Sequence, residues 1–190
     1  MRCLDFQVTA PPAILPVTID EFIDHARLNA LTVDRQPDLL TRQLTAATNR
    51  AESFCRRSLI TQTLRALFVP DGLTCRCSLL LALPRSPVQS VISVTSDGTV
   101  VDPTTYRLDW NTIVLSSALG QPATAVFTGG YGDAAEDVPA MIREGILEYA
   151  KVLYEARGGE REDQYAVQAG KTLPPGVIDL WRPYQVELGG

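Results

Sequence analysis

One hundred and ninety residues, 45% apolar and 21% charged, suit one sizeable globular domain or a domain carrying an insertion. A net charge of −5 argues against a dedicated DNA- or RNA-binding surface, which normally shows a basic excess. No apolar run approaches the ~20 residues that cross a bilayer. The first apolar stretch, residues 10–17, is broken by Pro11, Pro12 and Pro16, so neither a signal peptide nor a membrane partner is expected.

Residues 1–17 are predicted to form an extended, Pro-rich arm, because three prolines disfavour helix and stiffen the chain. Thr18 then opens a capping box with Glu21, and Phe22, Ile23 and Ala26 give a short helix one apolar face. The pattern stops and restarts around residues 33–37. Leu40, Leu44, Ala47, Ala51, Phe54 and Ser58 then recur at steps of four and three, which predicts a second helix from Pro37 to about Arg57. The helical stretch 18–58 reads as part of one bundle.

Over residues 59–128 the period changes to two. Strands are predicted at 61–69, 78–83, 88–95, 99–101, 106–109, 112–115 and 123–128, with Pro70-Asp71-Gly72 and Pro84-Arg85-Ser86-Pro87 as breaks. In the third of these, Val88, Ser90, Ile92 and Val94 alternate against Gln89, Val91 and Ser93. Asp97-Gly98 is a strong hairpin signal. Short strands at this spacing imply an antiparallel sheet inserted between helices.

A glycine-rich turn joins the sheet to the next helix. Gly129, Gly130 and Gly132 allow a sharp reversal, Asp137 is expected to cap that helix, and Pro139 suits its first turn. The joint therefore leaves sheet and helix little relative freedom. The helix spans 138–157, with Ile142, Ile146, Tyr149, Ala150 and Leu153 on its apolar face and Arg143, Glu144, Glu148, Lys151 and Glu155 expected to face water. Gly158-Gly159 ends it, and 158–172 reads as a polar linker.

Residues 173–190 form a C-terminal docking segment. Val177, Ile178, Leu180, Trp181 and Tyr184 are too apolar for a discarded tail and too few to fold alone. Trp181, Arg182 and Tyr184 are of the types enriched at binding hot spots. Two docking surfaces are open to the segment, its own bundle and a neighbouring chain, and the polar tether favours the neighbour. The fold class is α+β: a helical bundle with an inserted antiparallel β-region and an extended C-terminal tail.

Little in the chain assembles chemistry. Residues 129–133 match neither a dinucleotide fingerprint nor a P-loop, and Asp133, Glu136 and Asp137 would repel a phosphate. His25 is the only histidine, which removes most acid–base and metal schemes. Cys3, Cys55, Cys75 and Cys77 show no disulfide framework and fit free thiols in a reducing compartment. Cys75 and Cys77 are too sparse for zinc unless folding adds Cys55 and His25. No cofactor, metal or catalytic residue is expected.

The order of the pieces resembles the head–tail connector, or adaptor, proteins of long-tailed bacteriophages and of phage-derived gene transfer agents. The resemblance rests on Ser58-Leu-Ile-Thr-Gln-Thr63 after the long helix, Leu83-Pro-Arg-Ser-Pro-Val88 with Ser90-Val91, and Asp97-Gly98 leading to Tyr106-Arg-Leu-Asp109. Gly130-Tyr-Gly132 with Val138-Pro139, then Leu173-Pro174 ahead of Leu180 and Pro183-Tyr184, complete the set across residues 18–186. The arm before Thr18 is longer than the family pattern.

The resemblance implies a virion structural protein at the head–tail junction, made in the host cytoplasm and without catalysis. It implies a homo-oligomeric ring of about twelve subunits that binds the portal protein on one side and stopper or tail components on the other. Double-stranded DNA would pass an acidic wall without adhering. Val177, Ile178, Leu180, Trp181, Arg182 and Tyr184 would be the portal-facing anchor, so removing residues 173–190 should leave a folded chain that fails to join portals. The alternatives are a small metal- or thiol-dependent enzyme using Cys55, Cys75, Cys77 and His25, or a cytosolic protein-binding module.

Overall fold

Strict alternation of buried and outward residues makes Ala123–Gly129 (β8) the central strand of a five-stranded antiparallel sheet. The computed structural model describes residues 2–28, 37–69, 79–117, 119, 122–156 and 173–186. Two compact units divide the chain, Met1–Ala13 with Arg56–Asp133, and Ile14–Cys55 with Ala134–Gly190. The fold is α+β, with its strands in the first unit and its helices in the second.

In the β unit the large sheet runs in the order β1 (Arg2–Ala10), β2 (Gln62–Val69), β8, β4 (Val88–Ser96) and β5 (Thr99–Val100). A second antiparallel sheet runs β3 (Leu79–Ala82), β7 (Thr112–Leu115) and β6 (Tyr106–Asp109). Leu64, Ala66 and Phe68 of β2 face Phe127, Ala125 and Ala123 of β8 in register, so one face of the pair is continuously apolar. Leu81, Leu83, Ile113 and Leu115 complete the same core.

Three findings depart from the sequence reading. Part of the expected arm, Arg2–Ala10, is extended as a strand and hydrogen-bonds to β2 as the edge of the large sheet. The strands form two sheets rather than one. In β4, irregularities between Val88 and Ser90 and between Val91 and Ser93 break the alternation. They set Val88, Val91 and Val94 opposite Gly129, Phe127 and Ala125 on the core face, while Ile92 is exposed. A step of two thus becomes a step of three, which strict alternation does not capture. Asp97 and Gly98 both adopt positive φ, 48° and 77°, the two-residue hairpin geometry expected from their identities.

In the helical unit Thr18 Oγ1 accepts from the Glu21 N–H at 3.2 Å, and the Thr18 N–H donates back to Glu21 Oε2 at 2.7 Å. This is the predicted capping box, opening α1 (Ile19–Ala26). Helix α2 (Pro37–Cys55) buries Leu39, Leu40, Leu44, Ala47, Thr48, Ala51 and Cys55. Helix α3 (Ala140–Glu155) is the central element and packs on α1, α2 and the short C-terminal helix α4 (Pro175–Trp181). The tail, expected to be extended, is therefore helical, with a 3₁₀ turn at Arg182–Tyr184. Gly158-Gly159, the linker to residue 172, and Cys75 and Cys77 lie outside the described residues.

Candidate partner-binding site

A docking segment needs a seat, and the seat lies in its own helical unit. Gly145 on the buried face of α3 leaves a notch that holds the Trp181 ring; a Cβ there would come within 2.3 Å of Trp181 Nε1. The indole N–H donates to the Ile142 carbonyl at 3.2 Å, and Phe54 and Tyr149 flank the ring at centroid distances of 5.9 and 6.1 Å. The Cys55 thiol donates to the Trp181 carbonyl at 3.8 Å, and the Val186 N–H donates to the Cys55 carbonyl at 3.1 Å. Trp181 is 0% exposed and Val177 3%.

This corrects the reading of those two residues as partner-facing. Val177 and Trp181 lie four apart on one side of α4 and are consumed by the core of their own chain. Leu173 is buried as well, so the segment 173–190 cannot be removed without opening that core. Of the six expected anchor residues, Arg182 is exposed while Ile178, Leu180 and Tyr184 are half-buried. They are the ones left with surface to offer. The signal that sequence reasoning passed over was Gly145: glycine within a helix costs about 1 kcal/mol against alanine, and on a buried face it marks a close approach.

The joint residues divide by role. Gly130 alone of its three glycines takes positive φ, 146°, and a Cβ there would meet the Ile60 and Thr61 backbone at 2.6 Å. Its N–H donates to the Pro87 carbonyl at 3.0 Å, while the Gly132 carbonyl accepts from the Thr61 N–H at 2.9 Å. Gly129 packs against the Arg85 and Pro87 carbonyls, with its Cβ direction 3.2 and 3.3 Å from them. Asp137 does not cap α3: it closes a preceding 3₁₀ turn by accepting from the Ala134 N–H at 3.0 Å. Pro139 holds the N-cap position of α3, its carbonyl accepting from the Ile142 N–H at 2.9 Å.

Two further surfaces escaped the sequence reading. Leu4, Phe6 and Val8 are exposed along β1, whose far side has no strand partner among the described residues. Phe6 and Val8 sit opposite Ala66 and Leu64, so the buried face of the sheet runs out at this edge with apolar side chains uncovered. Trp110, at the β6–β7 turn, is 88% exposed. Its place between two four-residue strands was visible in the sequence and marks it as a hairpin tip.

Of the alternative thiol and metal set, the two described members, Cys55 and His25, stand in different settings. Cys55 is buried against Trp181, whereas His25 faces Glu144 and Glu148. Burial pushes the Cys3 thiol above its usual range, outweighing the Asp5 backbone contact that lowers it. Among the described residues no helix is long and apolar enough to cross a membrane.

No family model and no curated protein matches this chain by sequence. Its fold is shared with chains from gene transfer agent particles. A chain in the virion of a native gene transfer agent particle matches at TM-score 0.72 and 19% identity, covering 98% of this chain and 99% of that one. A chain in the neck of an empty particle, computed with C6 symmetry, matches at 0.72 and 21%, and one in the neck of a native particle, computed with C12 symmetry, at 0.70 and 22%. Both matches again cover 98% of this chain and 99% of the other. At such identities the likeness establishes a common fold.

Proposed function

We propose that this chain is a non-catalytic structural subunit of the neck of a tailed phage or phage-like particle. There it closes into a ring of about twelve copies, joins the portal to stopper or tail components, and lines the DNA channel. The observation that carries the reading is the end-to-end match, 98% against 99%, to chains in the necks of gene transfer agent particles. At that coverage the match takes in the C-terminal segment as well as both units.

The geometry supports the reading at three places. Arg182, with Ile178, Leu180 and Tyr184, forms the portal-facing surface, held in position by Val177 and Trp181 in the bundle. The open edge of β1 suits a heterologous contact with the neighbouring subunit, since an outer strand edge with exposed Leu4, Phe6 and Val8 is a template for strand addition. A net charge of −5 suits a wall that DNA passes without adhering.

Purified particles test the proposal. Mass spectrometry should find this chain at the copy number of the portal, and a producer strain carrying Leu180→Asp with Arg182→Ala should yield heads without tails. Arg182→Ala alone should weaken binding to isolated portals by roughly 2 kcal/mol if it is a hot spot. Normal tailed particles lacking the chain would refute the neck role and leave the cytosolic binding module as the better reading.

A further inference from the structure

Helix α1 ends its last turn with His25, and α3 presents Glu144 and Glu148 to it from consecutive turns. His25 Nδ1 lies 3.8 Å from Glu144 Oε1 and Nε2 lies 3.3 Å from Glu148 Oε1. One donor atom from each of the three residues falls within 4.8 Å of the other two. The imidazole is 17% exposed and the carboxylates 52% and 45%, so the group opens to solvent on its acidic side.

The imidazole itself is under-used. Nε2 is shielded from solvent yet makes no hydrogen bond, although a carboxylate oxygen stands 3.3 Å away. A charged imidazolium held for an ion pair would aim its N–H at that oxygen. The Nε2–Glu148 pair fits a different purpose: two ligand atoms bound at about 2.1 Å to one tetrahedral zinc ion stand about 3.4 Å apart, close to the 3.3 Å seen here. Nitrogen from one imidazole and oxygens from two carboxylates also match the donor preference of zinc and neighbouring divalent ions.

We propose that His25, Glu144 and Glu148 form a divalent-metal site, with zinc as its best-fitting ion, that clamps α1 onto α3. Two carboxylates neutralise the ion, the imidazole supplies its third bond, and water completes the shell on the open side. The clamp acts beside a second tie between the same helices. Arg143 donates through Nε to the Pro16 carbonyl at 2.9 Å and through its terminal nitrogen to Glu21. The site is independent of the neck role, and neither stands or falls with the other.

Isothermal titration of the full chain, stripped with EDTA, with zinc chloride should show one saturable equivalent. His25→Gln and Glu148→Gln should each weaken binding at least tenfold, since losing a ligand costs no less than losing a residue behind one. Glu155→Gln, exposed on the same helix, should bind as wild type. Cobalt(II) in the wild-type chain keeps the test decisive if a variant fails to fold. Weak visible bands without thiolate charge-transfer absorption support the nitrogen–oxygen set. Absence of saturable uptake, unchanged affinity in both variants, or strong thiolate absorption would each overturn the site.

Discussion

The two units are stabilised in different ways. The β unit packs its core on strands held by regular ladders, with Phe68 and Phe127 fully buried among smaller apolar side chains. The helical unit gathers segments far apart in sequence around α3 and seats one large indole, Trp181, in the notch at Gly145. Ladder hydrogen bonds survive the loss of one side chain; the seat of α4 on α3 does not survive the loss of its indole. The attachment of α4 within the helical unit should therefore hinge on Trp181 and Gly145.

The largest expected effect lies at the indole. Trp181→Ala should destabilise by about 3–5 kcal/mol. Hydrogen exchange should show protection lost in α2 and α3 and retained in β2 and β8. Equal loss in both would break the contrast and make the units one cooperative block. The counterpart in the β unit is Gly130→Ala, where backbone clash and a φ open to glycine together cost about 3 kcal/mol. Urea unfolding of that variant should show the loss, and an unchanged midpoint would mean the joint is slack. If it matches Trp181→Ala in size, the β unit has a keystone too, and it lies in the backbone.

Smaller changes sharpen the comparison. Gly145→Ala should cost about 1–3 kcal/mol by crowding the indole. In a Trp110→Phe background, where Trp181 is the sole tryptophan, its emission should shift to the red; an unshifted spectrum would mean the notch has room to spare. Gly98→Ala meets open space and only the strain of positive φ, so a loss of about 1 kcal/mol is expected from thermal melting. A larger loss would point to contacts at that hairpin beyond its own turn.

What the sequence disclosed divides along similar lines. Local rules carried the capping box at Thr18, the Asp97-Gly98 hairpin, and strand limits at 106–109 and 112–115 that coincide with β6 and β7. They also carried the apolar face of α3 through Ile142, Ile146, Tyr149 and Ala150. Features that depend on a distant partner did not come through. Arg2–Ala10 read as an arm because a strand is known by what it pairs with, here residues 63–69. Arg143 read as surface, and His25 as a lone histidine without a scheme to serve, because a polar side chain shows its use only when Glu21, Glu144 and Glu148 are brought to it. The anchor surface was half legible: residue types marked the C-terminal segment, but which side of α4 turns inward is decided by Gly145, thirty-odd residues away.

The division of the chain also fixes an order of events during synthesis. Every described strand has been made once the ribosome has passed Asp133, whereas the helical unit still lacks α3 and the indole that completes it. At about 5–20 residues per second, the interval to Trp181 lasts roughly 2–10 s. The nascent chain can thus close its sheets while α1 and α2 wait with apolar faces bare, a window in which a chaperone has one defined surface to guard.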